Sequence, residues 1–265
     1  MTEPAAAESP VLFDIVGDVA IIRLNRPKQL NVLDPAMGRG LVAAISAAAE
    51  NDAIRAVVLS GVGRSFCAGG DLSLFHQDLA AAPESAAGLI DLFHTALRGI
   101  TLMPKPVIAA AHGPVAGGGF SLAVACDLVV AAEDASFLAA YTRLGTTPDG
   151  GLTWSLTQLV GRRRALDLIL TNERIDAKTA LAWGLVNRVV PDDELDTAVA
   201  ELLGRATRGS AASRAIGKQA FYAQIGMDQP QAYTYAIEVM ASASQTPAAR
   251  EGVASFLEKR RPVWD

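Results

Sequence analysis

Cysteine, histidine and aromatic residues are scarce in this chain, which has 265 residues but only two cysteines, three histidines and 6% aromatic side chains. Cys67 and Cys126 stand in apolar or glycine-rich surroundings without CxxC spacing, so we expect buried free thiols and a reducing, cytoplasmic location. The histidines share no metal-ligand spacing, and we therefore predict no metal site. These shortages argue against both a disulfide scaffold and a zinc-binding module.

An excess of basic charge is also absent, because 23 lysines and arginines face 28 aspartates and glutamates. Nucleic-acid-binding surfaces draw much of their affinity from basic side chains, so we expect no nucleic-acid partner. Residues 107–125 carry no charge and approach the length that spans a bilayer, but Gly113-Pro114 and Gly117-Gly118-Gly119 divide them. We predict two short buried elements in this stretch, and no membrane partner.

Short apolar strands alternate with helices up to residue 190. Residues 12–16 and 19–24 flank Gly17-Asp18 and predict a hairpin, and Asp34-Pro35 supplies the cap and first-turn proline of a helix. Further buried strands are predicted over residues 56–60, 107–111 and 127–132. The alternation predicts an α/β domain with covered sheets over residues 1–190, of which residues 1–10 form a flexible tail without signal-peptide features.

Helices alone follow from Pro191 to the end of the chain. The pattern predicts four of them, over residues 192–206, 211–222, 230–243 and 247–259. Several carry too little polar surface to stand alone, as the apolar face around Ala236, Met240 and Ala243 illustrates. We therefore interpret residues 191–265 as a helical oligomerisation region.

Two glycine-rich segments, residues 65–72 and 113–120, are suited to presenting backbone N–H groups to a ligand. The first follows a predicted strand and contains Gly69-Gly70, and the second opens a helix at Gly117-Gly118-Gly119. Glycine lets a ligand approach the main chain closely, and a helix N-terminus adds free donors and a dipole that favours negative charge. Together the segments could form an oxyanion hole, although glycine turns between strand and helix are common for structural reasons alone.

Several ordered motifs resemble the enoyl-CoA hydratase/isomerase family, also called the crotonase family. They are Leu24-Asn25-Arg26-Pro27, Leu30-Asn31, the two glycine-rich segments, Pro104-Lys105-Pro106, Cys126-Asp127-Leu128, Leu144-Gly145, Pro148-Asp149-Gly150-Gly151, Ala182-Trp183-Gly184-Leu185-Val186, Glu251-Gly252-Val253 and Phe256-Leu257-Glu258-Lys259-Arg260. The resemblance implies an α/β fold, a spiral of ββα units with a helical C-terminal trimerisation region. It also implies an acyl-CoA substrate, no tightly bound cofactor, and a homotrimer or dimer of trimers.

The resemblance also assigns roles by position. The N–H groups of Gly70 and Gly118 match the two donors that hold the thioester oxygen. Positions around coenzyme A are matched by Lys28, Leu30, Ala68, Asp71 and Leu72, and the C-terminal residues Phe256 and Lys259 match ones that reach a neighbour's coenzyme A. For Phe256 and Lys259, an ordinary amphipathic helix with a solvated lysine remains an alternative.

The chain departs from the family's best-known hydratases, which use two glutamates to activate water and deliver its proton. Ser121 and Tyr141 occupy the matching positions. Asp149 then remains as the candidate base or nucleophile, at a position that is acidic in double-bond isomerases and in the phenylacetate-pathway isomerase of ring-epoxidised phenylacetyl-CoA. The alternative is that Asp149 caps a helix over residues 151–160.

Resemblance to the 4-chlorobenzoyl-CoA dehalogenases complicates the choice. There the matching aspartate attacks an aromatic ring, a histidine activates water and a tryptophan orients it; the positions correspond to Asp149, His94 and Tyr141. However, Gly70 falls where those enzymes carry a bulky aromatic residue, and a histidine on an apolar helix is more often packed or water-bonded than catalytic.

Our first hypothesis is an acyl-CoA isomerase in which Gly70 and Gly118 hold the thioester oxyanion and Asp149 shuttles a proton. A single carboxylate suffices for that reaction. The alternatives are an enoyl-CoA hydratase that lacks the glutamate pair, an aryl-CoA dehalogenase or hydrolase that uses Asp149 with His94, and a non-catalytic acyl-CoA-binding protein.

Overall fold

A computed structural model describes residues 9–74 and 82–264, with nine strands among them. Their bounds are β1 Val11–Val16, β2 Val19–Leu24, β3 Ala56–Gly61, β4 Val107–Ala111, β5 Pro114–Ala116, β6 Leu128–Ala132, β7 Ser136–Leu138, β8 Ile175–Asp176 and β9 Arg188–Val190. The predicted hairpin is confirmed as β1 and β2, and the three predicted buried strands are confirmed as β3, β4 and β6.

Nine α-helices accompany the strands in the described part of the chain. They are α1 Pro35–Glu50, α2 Ala82–Leu102, α3 Gly118–Ala125, α4 Leu152–Thr171, α5 Ala177–Trp183, α6 Leu195–Ala206, α7 Ala211–Gln224, α8 Gln229–Ser244 and α9 Pro247–Leu257. The predicted start of α1 is confirmed, because the Asp34 side chain accepts a hydrogen bond from the N–H of Met37 at 2.7 Å. The uncharged stretch is divided at its glycines, but into three short elements, β4, β5 and α3, where two were predicted.

Six strands form the main sheet, in the order β1-β2-β3-β4-β6-β9, and three form a smaller sheet, β5-β7-β8. The β1–β2 pair of the main sheet is antiparallel, and its other pairs are parallel. Parallel strands end at one edge of a sheet, so the loops that leave β3 and β4 emerge close together. Those loops carry the two glycine-rich segments.

Both faces of the main sheet are covered. Alternate residues of β3, including Val57 and Leu59, belong to the large core together with α1 and α2, whereas Ala56 and Val58 face a second apolar cluster that includes Leu195 and Leu202 of α6. The period-2 alternation of the strands thus buries both faces, as the α/β prediction requires. Although α6 lies beyond the predicted boundary at residue 190, it packs on the sheet.

Part of the predicted flexible tail, Ser9 and Pro10, is held by hydrogen bonds to Asn25. The N–H of Asn25 donates to the Pro10 carbonyl at 2.7 Å, and its side chain donates to the Ser9 carbonyl at 3.0 Å. Residues 1–8 of the predicted tail lie outside the described residues.

None of the described helices combines the length and apolar character needed to cross a membrane.

Asn31 fastens the loop after β2 to the loop after β3. Its side chain is fully buried, accepts from the N–H of Arg26 at 2.8 Å, and donates to the carbonyls of Val62 at 3.0 Å and Ser65 at 2.7 Å. Asn31 also has a φ of 56°, in the left-handed region that asparagine tolerates better than most residues. The first glycine-rich segment therefore starts from an anchored residue, Ser65.

We expect Asn31→Ala to lower the free energy of unfolding by about 3 kcal/mol, because it removes three hydrogen bonds and leaves buried partners unsatisfied. Urea denaturation measures the change. The control is Asn51→Ala, which removes one exposed hydrogen bond to the N–H of Ala53 and should cost no more than about 1 kcal/mol. Equal losses in the two variants would show that Asn31 is not an anchor.

Candidate active site

The two glycine-rich segments pair side by side. The N–H of Cys67 donates to the Pro114 carbonyl at 3.2 Å, and the N–H of Ala116 donates to the Cys67 carbonyl at 2.9 Å. A Cβ atom on Gly119 would lie 2.1 Å from the Cys67 carbonyl oxygen, and one on Gly69 would lie 3.2 Å from the Ala116 oxygen. The absence of side chains at these glycines is therefore what allows the segments to approach so closely.

The predicted oxyanion donors lie beside this junction. Leu33 brackets Gly70, since its N–H donates to the Gly69 carbonyl at 2.7 Å and its carbonyl accepts from Asp71 at 2.8 Å. Gly118 is the first residue of α3, where N–H groups have no partner within the helix. Within the described part of the chain, the N–H groups of Gly70 and Gly118 donate to no protein acceptor, and both glycines line one cavity.

The cavity has a volume of about 940 Å³. Its lining consists of Leu33, Ala68, Gly69, Gly70, Leu72, Leu89, Ile90, Phe93, Gly117, Gly118, Ala140, Tyr141, Leu144, Gly145, Thr146, Thr147 and Asp149. Among these described residues, Asp149 is the only one with an acidic or basic side chain. The described lining therefore presents one carboxylate, two main-chain donors and otherwise apolar or neutral groups.

Tyr141 and Asp149 are directly joined. The Tyr141 hydroxyl donates to Oδ1 of Asp149 at 2.6 Å. Burial, reinforced by the Asp149 carboxylate, raises the pKa of the Tyr141 phenol, so the hydroxyl stays protonated and remains the donor. The alternative role of Asp149 as a helix cap is not realised, because α4 begins after Gly151 without a side-chain cap.

Residues 14–265 match the family model described as enoyl-CoA hydratase/isomerase. The chain belongs to the enoyl-CoA hydratase/isomerase family. It is 36% identical over 252 residues to a probable enoyl-CoA hydratase of Rhodobacter capsulatus, covering 95% of this chain and 96% of that protein. It is also 32% identical over 255 residues to the 1,2-epoxyphenylacetyl-CoA isomerase of Escherichia coli, covering 96% of this chain and 97% of that protein.

Solved structures agree with this membership. The crystal structure of an enoyl-CoA hydratase of Mycobacterium smegmatis matches with a TM-score of 0.91 at 36% identity, covering 97% of this chain and 99% of that one. A Polaromonas enoyl-CoA hydratase also matches with a TM-score of 0.91, at 34% identity, covering 96% of this chain and 99% of that one. The crotonase-like fold is therefore confirmed, and the chain is an enzyme of a family that acts on coenzyme A thioesters.

Ser121 and Tyr141 occupy the two positions that hold glutamates in the family's best-known hydratases. Ser121 lies on α3 and is fully buried. Its hydroxyl donates to the main-chain carbonyl of Asp149 at 3.0 Å. The Tyr141 hydroxyl donates to the side-chain carboxylate of Asp149. In sequence, the serine and the tyrosine stand only as missing carboxylates, whereas in the folded chain both side chains contact Asp149.

The structure does not bring His94 to the cavity, which corrects the expectation that it works beside Asp149. Its side chain is exposed, whereas Phe93, the preceding residue on α2, is buried and lines the cavity. Adjacent residues on a helix point about 100° apart, so His94 turns away when Phe93 points in.

The predicted coenzyme A contacts fall into two groups. Ala68 and Leu72 line the cavity, whereas Lys28 and Leu30 lie outside its lining, although the Leu30 carbonyl accepts from the N–H of Ala68 at 3.0 Å. Asp71 does not line it either. Its carboxylate accepts a hydrogen bond from the Ser73 hydroxyl at 2.7 Å and lies 3.5 Å from the Arg26 guanidinium. The hydrogen bond from Ser73, and to a smaller extent the positive charge of Arg26, lower the pKa of Asp71.

Phe256 and Lys259 lie at the C-terminal end of the chain, away from the cavity lining. Phe256 is 81% exposed on the last turn of α9, and Lys259 follows that helix with a φ of 56°. A role toward a neighbouring subunit therefore stays a prediction. The cysteine prediction is confirmed, since Cys67 and Cys126 are buried free thiols, and burial raises the pKa of Cys67 to about 12.

Leu33 is a site residue that the sequence does not reveal. Leu33 lines the cavity, is pinned between the main-chain groups of Gly69 and Asp71, and places Cδ1 2.8 Å from where a Gly118 Cβ would stand. No motif in the sequence signals this contact, because it joins the segment before α1 to the start of α3.

We expect Gly119→Ala to lower the free energy of unfolding by about 3 kcal/mol, since its Cβ would meet the Cys67 carbonyl at 2.1 Å and force the paired segments apart. Urea denaturation checks this. Gly70→Ala is the matched control: its Cβ would meet nothing within 4 Å, and its unfolding free energy should stay within about 1 kcal/mol of wild type. A stable Gly119→Ala protein would contradict the tight pairing.

Proposed function

We propose that this enzyme isomerises acyl-CoA thioesters by moving a proton between carbons of the acyl group. The observation that carries the proposal is the carboxylate of Asp149, the one acidic side chain among the described residues of a cavity that also presents the N–H groups of Gly70 and Gly118, which donate to no acceptor in the described part of the chain. Proton removal and return need one base, whereas the two-glutamate hydration mechanism needs two acidic side chains.

The proposed reaction converts a 3-enoyl thioester into a 2-enoyl thioester. The Asp149 carboxylate takes a proton from C2, the electrons of that C–H bond form the C1–C2 double bond of an enolate, and negative charge gathers on the thioester oxygen. The N–H groups of Gly70 and Gly118 stabilise that oxygen, and each such donor contributes about 3 to 4 kcal/mol to transition-state stabilisation. Asp149 then returns the same proton to C4, and the double bond settles between C2 and C3.

The activities named for relatives support isomerisation and also a second candidate, hydration. The Escherichia coli relative is a 1,2-epoxyphenylacetyl-CoA isomerase, and a Streptococcus mutans relative that is 28% identical is a trans-2-decenoyl-[acyl-carrier-protein] isomerase. The Rhodobacter capsulatus and Clostridium acetobutylicum relatives carry hydratase names. The side chains at positions 121 and 141 favour isomerisation, because neither serine nor tyrosine is a carboxylate.

The lining of the cavity supports an uncharged acyl group as the substrate class. Leu33, Leu72, Leu89, Ile90 and Phe93 supply apolar surface, and the charged group among the described lining residues is the acidic Asp149. A carboxylate on the acyl group would be repelled by the negative charge of Asp149, and it would lose its hydration without gaining a cationic partner among the described lining residues.

We also propose that the chain works as a homotrimer or dimer of trimers. Within α7 and α8 no described side chain is buried, and large apolar side chains on α8 and α9 face outward. These side chains are Tyr233, Ile237, Met240, Val253, Phe256 and Leu257. Contact with further copies of the chain would remove this surface from water and could bring Phe256 and Lys259 to a neighbour's coenzyme A.

Asp149→Asn should reduce turnover of 3-enoyl thioesters by about 10²- to 10⁴-fold, because the amide cannot accept the proton. A panel of 2-enoyl, 3-enoyl and aryl CoA esters, with products followed by mass and ultraviolet absorbance, measures the change. The control is Asp91→Asn, an exposed aspartate on α2, which should behave as wild type.

The panel also separates the other functions. Loss of the conjugated enoyl absorbance with addition of water identifies a hydratase, and release of halide or of free coenzyme A identifies a dehalogenase or hydrolase. Affinity without turnover of any ester identifies a binding protein. Asp149→Asn turning over every substrate at the wild-type rate would overturn the proposed function.

An enoyl thioester whose five-carbon acyl group ends in a carboxylate should have a kcat/KM at least about tenfold below that of its terminal methyl ester. The two compounds have closely similar shapes and differ in charge, so the comparison isolates the effect of Asp149 and the apolar lining. Equal or better turnover of the charged substrate would contradict the assignment of an uncharged acyl group.

A further inference from the structure

We propose that Tyr141 and Ser121 are positioning residues that orient Asp149 from two sides. Tyr141 holds one carboxylate oxygen, Oδ1, while Ser121 holds the main-chain carbonyl of the same residue. The other carboxylate oxygen, Oδ2, is then left to exchange the proton with the acyl group. This inference rests on the proposed function, because it assigns Asp149 as the base.

The bond between Tyr141 and Asp149 fixes the direction of the carboxylate. At 2.6 Å it has the length of a charge-assisted hydrogen bond between a hydroxyl and a carboxylate. Tyr141 is itself held, because its side chain is buried and its carbonyl accepts from the N–H groups of Leu144 at 2.9 Å and Thr146 at 3.2 Å. The donor is therefore placed by a tight turn of the main chain.

Ser121 fixes the backbone of Asp149 instead. Its hydroxyl and the N–H of Leu152 both donate to the Asp149 carbonyl, each at 3.0 Å. Ser121 stands on α3, three positions after Gly118, so both residues lie on the same face of one helix. One rigid element thereby sets the distance between an oxyanion donor and the backbone of the base.

The main chain at Gly150, next to Asp149, packs closely against the side chains of Phe93 and Ser121. A Cβ atom on Gly150 would stand 2.5 Å from Cε1 of Phe93 and 2.7 Å from Cβ of Ser121, and the φ of 58° favours glycine there. The residue after Asp149 therefore rests on the side chains of Phe93 and Ser121. With its main chain fixed in this way, the freedom left to Asp149 is rotation of its side chain, and Tyr141 restricts that rotation.

The two contacts should affect catalysis to different degrees. Removing the Tyr141 hydroxyl frees the carboxylate to rotate, so Oδ2 is less often placed at the proton that moves. The Ser121 hydroxyl shares the Asp149 carbonyl with the N–H of Leu152, so the backbone of Asp149 keeps one of its two donors when Ser121 is removed.

The test compares Tyr141→Phe, Ser121→Ala and the control Thr95→Ala, which removes an exposed hydroxyl on α2. The kcat and KM of each full-length protein are measured at neutral pH on the ester of the panel that wild type turns over best, together with the melting temperature. We expect Tyr141→Phe to lower kcat about 10- to 100-fold with KM within about threefold, because the carboxylate loses its orientation while the binding surface stays.

We expect Ser121→Ala to lower kcat about tenfold, and the control to match wild type. A wild-type kcat in Tyr141→Phe would overturn the positioning role. So would a loss of kcat as large as that of Asp149→Asn, because Tyr141 would then be a proton donor to the substrate. A wild-type rate for Asp149→Asn defeats the proposed function itself, whereas an inactive Asp149→Asn beside an unchanged Tyr141→Phe defeats this inference alone.

Discussion

The site depends on the close pairing of two main-chain segments that contain glycine where a side chain would intervene. Hydrogen bonds join Cys67 to Pro114 and Ala116, and the missing Cβ of Gly119 leaves room for the Cys67 carbonyl. This pairing brings Gly70 and Gly118 to one cavity, with N–H groups that need an acceptor. A buried donor without a partner is costly, so a site of this kind is stabilised when a substrate oxygen supplies the missing acceptor.

The sheet makes this pairing possible. Strands β3 and β4 are parallel neighbours, so the loops that follow them leave the same edge, and Asn31 anchors the first loop through the carbonyls of Val62 and Ser65. The start of α3 then carries an oxyanion donor, while Ser121 on the same helix reaches the backbone of Asp149. The helix that carries this donor therefore also holds the main chain of the carboxylate residue.

Much of the fold and part of the site could be predicted from the sequence, because those parts follow from local patterns. The hairpin around Gly17-Asp18, the cap at Asp34 and the glycine-rich segments each show within a few residues. What could not be predicted depends on side-chain direction and distant contacts. His94 faces outward because Phe93 occupies the inward position, Asp71 binds Ser73 and Arg26, and Leu33 enters the cavity through a pairing that no motif records.

The two positions that hold glutamates in the best-known hydratases show how such a site can change its chemistry without changing its frame. In this chain they carry a serine and a tyrosine, and each donates a hydrogen bond to Asp149. Two weakly acidic hydroxyls cannot replace a pair of carboxylates as proton carriers at neutral pH, but they can restrict where a single carboxylate points. A proton shuttle over neighbouring carbons of an enolate needs that restriction, because one oxygen must reach both the carbon that loses the proton and the carbon that regains it.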